Sequence, residues 1–200
     1  MNYGTVTYFG AELIVPEFLV PLFPVDLPAD RWPTFCGAGE GAGDALISDS
    51  PWGIHFNPAC LTHDIDWAIT PDTIIEFIRA NWHFFRNCLS LVRASKKEWW
   101  KKALATLSCI RYFAGVSTFG LFSFITSEVV PFDESDPFKH PVVRARLKRL
   151  ARADMGLADE IAAHGGYDEQ PIRTNDESLK QFAAVLADLE KSADDREKSA

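Results

Sequence analysis

The sequence contains no hydrophobic run long enough to cross a lipid bilayer. A transmembrane helix needs about 20 consecutive apolar residues, and the most apolar stretch, 112–125, is shorter and follows Arg111 directly. Residues 1–10 carry no cationic segment, and glutamates and prolines interrupt the apolar stretch 11–24, so the sequence shows no secretory signal peptide. We expect no transmembrane segment, and we expect any export to follow a non-classical route or delivery with a larger assembly.

The sequence also lacks an excess of positive charge. Its 200 residues include 20 lysines and arginines against 28 aspartates and glutamates, which gives a formal net charge of −8. A protein that binds nucleic acid needs a basic surface to neutralise phosphates. The charge balance therefore argues against nucleic acid as the main partner, and the composition, 47% hydrophobic and 24% charged, is typical of a soluble globular domain.

Cysteine is sparse. The four cysteines are Cys36, Cys60, Cys88 and Cys109, and they could form two disulfides or none. An even number is weak evidence by itself, because cytosolic proteins often bury free thiols. Cys88 and Cys109 fit a disulfide and a pair of buried free thiols on packed helices equally well.

Beyond these absences, the chain shows helical patterns behind a loop-rich N-terminal region. Residues 1–30 are rich in proline and aromatic side chains, which favours extended segments and turns, and CGAGEGAG at 36–43 is typical of a loop. Asn57 and Pro58 predict a helix start, with asparagine as the N-cap and proline at the first helical position. The predicted helices span 57–68, about 70–94, about 98–127, 142–163 and 176–191.

The first predicted helix places chemically active side chains together. Cys60, His63 and Trp67 follow an i, i+3, i+7 spacing and share one face. Asp64 is rotated by about 100° from His63 and faces whatever packs in front of the helix, for which the glycine-rich loop is the candidate. Glycines let backbone carbonyl groups converge, and a hard cation such as Ca²⁺ accepts carbonyl and carboxylate oxygens.

The second predicted helix has a broad apolar face with an amide in its middle. The amide is Asn81, and the apolar members are Ile74, Ile78, Phe84, Phe85, Cys88 and Val92. A buried amide without hydrogen-bond partners costs about 1–3 kcal/mol. An antiparallel neighbouring helix that carries His63 would offer one partner.

These motifs together resemble a known family. CGAG followed by NPACLTHDIDW resembles the calcium loop and the C-x-x-H-D-x-x-[YW] active-site helix of the phospholipase A2-like superfamily, which has bacterial, phage-encoded and secreted members. ANWHFFRNCL at 80–89 resembles its second long helix, and RYFAGV at 111–116 with Gly120 resembles its third helical segment. The likeness covers roughly residues 34–126.

The resemblance implies a mainly α fold. Its core would be two antiparallel active-site helices with a third helix packed on them, behind a loop-rich N-terminal region and before a helical C-terminal extension. The corresponding domains are an N-terminal extended segment at 1–30, a phospholipase A2-like domain at 31–130 and the C-terminal extension at 131–200.

The resemblance also implies roles for individual residues. His63 would be the general base that activates water for Ca²⁺-dependent hydrolysis of the sn-2 acyl ester of glycerophospholipids, and Asn81 would hold its ring. Trp67 stands where the family has a tyrosine that supports the pair. The implied disulfide joins Cys36 to Cys60, and the implied Ca²⁺ ligands are the Asp64 side chain and the backbone carbonyls of Phe35, Gly37 and Gly39.

Two features depart from the family pattern. Asn81 replaces an aspartate, and asparagine can orient the histidine but cannot neutralise the imidazolium. The spacing from Cys36 to His63 is long, so 40–56 must form an extra loop. The alternative function is therefore a catalytically impaired scaffold that acts as a binding or structural protein associated with a phage or prophage.

Two rival chemistries use the same residue types. A metal-dependent phosphohydrolase of the His-Asp type would need a further upstream histidine, and His55 lies only eight residues before His63 in a loop. A thiol hydrolase built on Cys36 and His63 would need Cys36 as a free thiolate.

Two basic segments lie outside the motifs. KKEWWKK at 96–102 sets Trp99 and Trp100 among four lysines, which fits either a peripheral phospholipid membrane surface or the start of an amphipathic helix with one tryptophan buried. RARLKRLAR at 144–152 is typical of a solvated helix face paired with the acidic tail.

Overall fold

The computed structural model describes residues 2–36, 50–70, 73–126, 130–133, 136–151 and 153. All of them belong to one compact unit, Met1–Asp168. The predicted helix at 176–191 falls in a second unit, Glu169–Ala200, and lies outside the described residues.

The N-terminal extended segment forms a β-hairpin. Strands β1 (Tyr3–Tyr8) and β2 (Ala11–Pro16) pair antiparallel, with Tyr8 opposite Ala11. The two linking residues, Phe9 and Gly10, have φ angles of 46° and 84°, as a tight type I′ connection requires. Alternate side chains on one face of the hairpin are buried against the helices: Val6, Tyr8, Leu13 and Val15.

Four α-helices follow in the described residues, so the predicted mainly α fold is confirmed. They are α1 (Asn57–Ile69), α2 (Ile74–Ala94), α3 (Trp99–Thr126) and α4 (Pro141–Ala151). The hydroxyl of Thr73 caps α2 by accepting from the backbone N–H of Glu76 at 3.3 Å. Helix α4 ends earlier than the predicted 142–163, and the positions from 154 onward lie outside the described residues.

Asn57 does not cap α1 as predicted. Helix α1 has no side-chain cap, and the Asn57 side-chain oxygen instead accepts from the backbone N–H of Phe35 at 2.9 Å. The N-cap position is occupied by Phe56, so Asn57 lies within the first turn and its amide is available to another segment. Asn57 therefore holds the segment that leads into Cys36 against the start of α1.

The first three helices run antiparallel in sequence order. His63 meets Asn81 and Trp67 meets Phe77, so contacts between α1 and α2 advance in opposite directions along the chain. Phe77 meets Phe124, and Phe85 meets Phe113, which gives the same relation between α2 and α3. In the described residues, two antiparallel helices therefore have a third helix packed on the second.

The buried face of α2 differs from the predicted apolar face. Ile74 and Ile78 are 55% and 58% exposed, whereas Asn81 and Asn87 are each 1% exposed. The buried side of α2 contacts α1, α3 and the hairpin at the same time. Packing against all three elements decides which residues of α2 are buried, and two of them are amides. No helix in the described part of the chain is long and apolar enough to span a membrane.

Candidate functional site

The centre of the site is a buried histidine–asparagine pair between α1 and α2. His63 is 6% exposed, and its Nε2 atom lies 2.8 Å from Oδ1 of Asn81. The antiparallel packing of the two helices brings the side chains together across 18 positions of sequence. The predicted contact between these residues is present.

Trp67 determines the protonation pattern of this pair. Its Nε1–H group donates to the same Asn81 oxygen at 3.0 Å, and an indole N–H can only donate. The atom between the two rings must therefore be the amide oxygen and not the amide nitrogen. Because that oxygen only accepts, neutral His63 carries its proton on Nε2 and presents the lone pair of Nδ1.

Aromatic rings enclose the imidazole. The Trp67 and Phe84 rings lie with their centroids 4.6 Å and 4.7 Å from that of His63. On its far side Trp67 packs against α3, where Gly120 leaves no room for a side chain: a Cβ atom there would overlap the indole. The glycine that marks the third helical segment thus lets Trp67 reach Asn81.

Burial makes His63 harder to protonate. Removal from water lowers its pKa below the ordinary value, and the hydrogen bond to Asn81 and the charges of Asp64 and Asp66 oppose this shift without cancelling it. His63 is therefore neutral near pH 7. A neutral imidazole with its proton on Nε2 has its lone pair on Nδ1, which is the form that a general base needs.

The disulfide implied by the resemblance is confirmed, because Cys36 and Cys60 are bonded. Cys60 lies one helical turn before Asp64 on the same side of α1, so the bond brings the start of the glycine-rich loop to this face. It also removes Cys36 as a thiolate nucleophile, which makes the thiol hydrolase interpretation wrong. Cys88 and Cys109 are buried free cysteines.

The carboxylate predicted to bind Ca²⁺ is paired with an arginine. Oδ2 of Asp64 lies 3.0 Å from a guanidinium nitrogen of Arg146 on α4. Burial raises the pKa of Asp64, and Arg146, His63 and Arg149 counteract that effect. Arg149, one turn further along α4, holds its guanidinium 5.6 Å from the ring centroid of Phe35.

The described residues do not fit a cation as they stand. Phe35 is buried beside the disulfide, Gly37 and Gly39 lie outside the described residues, and Asp64 is neutralised by Arg146. A divalent ion on that carboxylate would lie next to a guanidinium of like charge.

Several residues around the site were not predicted from sequence. Asn81 Nδ2 reaches the Ser117 hydroxyl on α3 at 3.5 Å. The Asn87 side chain both accepts from Ile14 N–H at 2.7 Å and donates to Ile14 C=O at 2.8 Å, so it pairs with β2 as a neighbouring strand would. Six positions correspond to a net rotation of about 240° around a helix, so the spacing from Asn81 gave no signal that Asn87 is buried as well.

A histidine–aspartate pair, His83 and Asp66, lies near the His63–Asn81 pair. Asp66 accepts from the Tyr3 hydroxyl at 2.6 Å, and its other oxygen lies 3.3 Å from Nδ1 of His83. Burial and the charge of Asp66 raise the pKa of Tyr3. This cluster joins β1 to α1 and α2, which is a structural role.

Comparisons with protein-family models, with curated proteins and with solved structures found no match. The function of this chain must therefore be inferred from its own motifs and geometry.

Proposed function

We propose that this chain is a phospholipase A2-like lipid esterase that hydrolyses the sn-2 acyl ester of glycerophospholipids. The observation that supports this best is the buried hydrogen bond between His63 Nε2 and Asn81 Oδ1 at 2.8 Å. The bond holds the imidazole ring in one orientation and one tautomer, with Nδ1 as its basic atom.

The proposed chemical step uses His63 as a general base. Nδ1 takes a proton from a water molecule as its oxygen attacks the ester carbonyl carbon. The imidazolium then returns the proton to the departing alcohol oxygen, and the products are a fatty acid and a lysophospholipid. Asn81 and Trp67 keep the ring from rotating during both transfers.

The resemblance also implies a Ca²⁺ ion at Asp64, which the described residues do not fit as they stand. Ca²⁺ at Asp64, with the carbonyls of Phe35, Gly37 and Gly39, would polarise the ester carbonyl as a Lewis acid. Asp64 is engaged by Arg146, so the proposed step uses groups of the chain alone.

A phospholipid surface is the proposed partner, and the exposed side chains offer two contact regions. Trp99 and Trp100 are 81% and 44% exposed, with Lys101 over the Trp100 ring, so neither tryptophan is buried. Trp99 is 18 residues before Ser117, or about 27 Å along α3, and so is far from Asn81.

The second contact region is nearer to the candidate catalytic pair. Ile74, Ile75 and Ile78 are 55%, 71% and 58% exposed at the start of α2. Ile78 precedes Asn81 by less than one helical turn. We therefore favour the isoleucines as the lipid contact that serves catalysis and the tryptophans as an additional anchor.

A specific observation supports a second candidate function, a non-catalytic scaffold. Asn81 cannot neutralise an imidazolium, and Asp64 is already paired within the chain. Loss of an orienting carboxylate costs about 10⁴-fold in rate in a serine protease. A chain with both features could keep the fold for binding or assembly.

Fatty-acid release from phospholipid vesicles distinguishes the two functions. Mixed vesicles of phosphatidylcholine and phosphatidylglycerol would be incubated with the full chain, with millimolar Ca²⁺ or with a chelator. We expect release that His63→Ala abolishes and that the matched control His55→Ala retains. The esterase proposal fails if neither the wild type nor Asn81→Asp releases fatty acid in either condition.

A further inference from the structure

Helix α4 covers the two described members of the predicted cation site. Arg146 contacts the Asp64 carboxylate at 3.0 Å, and Arg149 lies over the Phe35 ring. The two arginines are three positions apart and therefore point to the same side of α4. A segment outside the family resemblance thus supplies positive charge where the resemblance implies a metal.

The contact between Arg146 and Asp64 is partly shielded from water. The side chains are 34% and 25% exposed. The Oδ2 atom itself is buried and accepts no well-aligned hydrogen bond from the described residues. The guanidinium therefore neutralises the charge of this carboxylate but leaves its lone pairs available to a better ligand.

A metal ion and Arg146 would compete electrostatically for this carboxylate. Carboxylate oxygens approach Ca²⁺ to about 2.3–2.6 Å, whereas the guanidinium nitrogen already lies 3.0 Å from Oδ2. Placing both cations there would bring like charges within a few ångströms in a partly desolvated position. The guanidinium therefore weakens the binding of a metal ion at this carboxylate.

We propose that Arg146 is a built-in counter-cation that takes the place of a metal at Asp64, so that the residues present do not fit Ca²⁺ while the guanidinium is there. The inference relies on the proposed function for the identity of the metal but not on hydrolysis. In this proposal, helix α4 is a part of the chain that competes with Ca²⁺ for the Asp64 carboxylate.

Calorimetric titration of the metal-free full chain with CaCl₂, without lipid, tests this competition. Arg146→Gln removes the competing charge, and we expect it to bind Ca²⁺ on the order of tenfold more tightly than the wild type. Arg144→Gln is the matched control, because it makes the same charge change on the same helix about 200° away. Asp64→Asn combined with Arg146→Gln should abolish the gain.

Two results of the titration would overturn the proposal. Equal affinity of Arg146→Gln and the wild type overturns the proposal, and so does an equal gain in Arg144→Gln, which would indicate a general effect of net charge. If Arg146→Gln does not fold by circular dichroism, Arg146→Met takes its place in the titration.

Fatty-acid release is measured separately. Tight Ca²⁺ binding by Arg146→Gln without release in any variant would reject the esterase and leave the competition intact. Release by the wild type with unchanged Ca²⁺ affinity in Arg146→Gln would do the reverse.

Discussion

Replacing Asn81 by aspartate should convert the candidate site into a stronger base. The present partners of the Asn81 side chain accommodate a carboxylate, because His63 Nε2–H and Trp67 Nε1–H already donate to its oxygen. The Ser117 hydroxyl, 3.5 Å from the amide nitrogen, can rotate to donate as well. We therefore expect Asn81→Asp to fold.

The expected gain follows from the charge pair that the substitution creates. Two unit charges about 4 Å apart interact by about 4 kcal/mol at an effective dielectric constant of about 20. If the carboxylate loses roughly a third of that to its own desolvation, about 2.7 kcal/mol remains to stabilise the imidazolium. Since 1.36 kcal/mol corresponds to a factor of ten, kcat/KM for vesicle hydrolysis should rise about 100-fold.

Two measurements check this reasoning. Proton NMR titration of the His63 ring, assigned by its loss in His63→Gln, should give a higher pKa in Asn81→Asp than in the wild type, and Asn81→Ala should give no increase. An unchanged His63 pKa in a folded Asn81→Asp protein would refute the inferred hydrogen bond. A raised pKa without any gain in hydrolysis would favour the non-catalytic scaffold.

Three further perturbations address the framework of the site. Gly120→Ala should displace the indole that contacts the amide and lower the free energy of urea unfolding by about 1–3 kcal/mol. Gly115→Ala, on the same helix with no atom near its Cβ position, should be neutral or stabilising, and equal effects of the two would contradict the packing account. Asn87→Ala should cost about 1–3 kcal/mol in urea unfolding, because it leaves a backbone pair of β2 without its partner, and a loss below half of that would mean that water replaces the amide. Burial lowers the folded-state pKa of His63 and of His140. The unfolded chain therefore binds more protons than the folded chain, and the free energy of unfolding should fall as the pH drops below about 6.5. The loss should reach up to about 1.4 kcal/mol per pH unit for each histidine. Denaturant titrations between pH 7.5 and 5 would contradict this account if stability were flat in His63→Gln and wild type alike.

The sequence by itself determined the approximate positions of α1, α2 and α3 and the contact between α1 and α2. Helix periodicity and the proline-marked start predicted α1, and the amide in the middle of α2 predicted a partner on an antiparallel neighbour, which is His63. Spacing alone decides which residues share a helix face, but packing decided which face of α2 is buried, and Ile74 and Ile78 are exposed. The pairing of Cys36 with Cys60 came from the family resemblance, since composition left the pairing open.

Only the tertiary structure decided which distant groups meet. Arg146 is 82 positions after Asp64 (146 minus 64), and no local pattern relates them. The same holds for Asn87, whose strand-like pairing with β2 depends on where the hairpin docks. These contacts depend on how whole elements pack, and packing is set by the summed fit of many side chains and not by any short stretch of sequence. For that reason the sequence indicated an aspartate ready for a metal, whereas the folded chain pairs that aspartate with its own arginine.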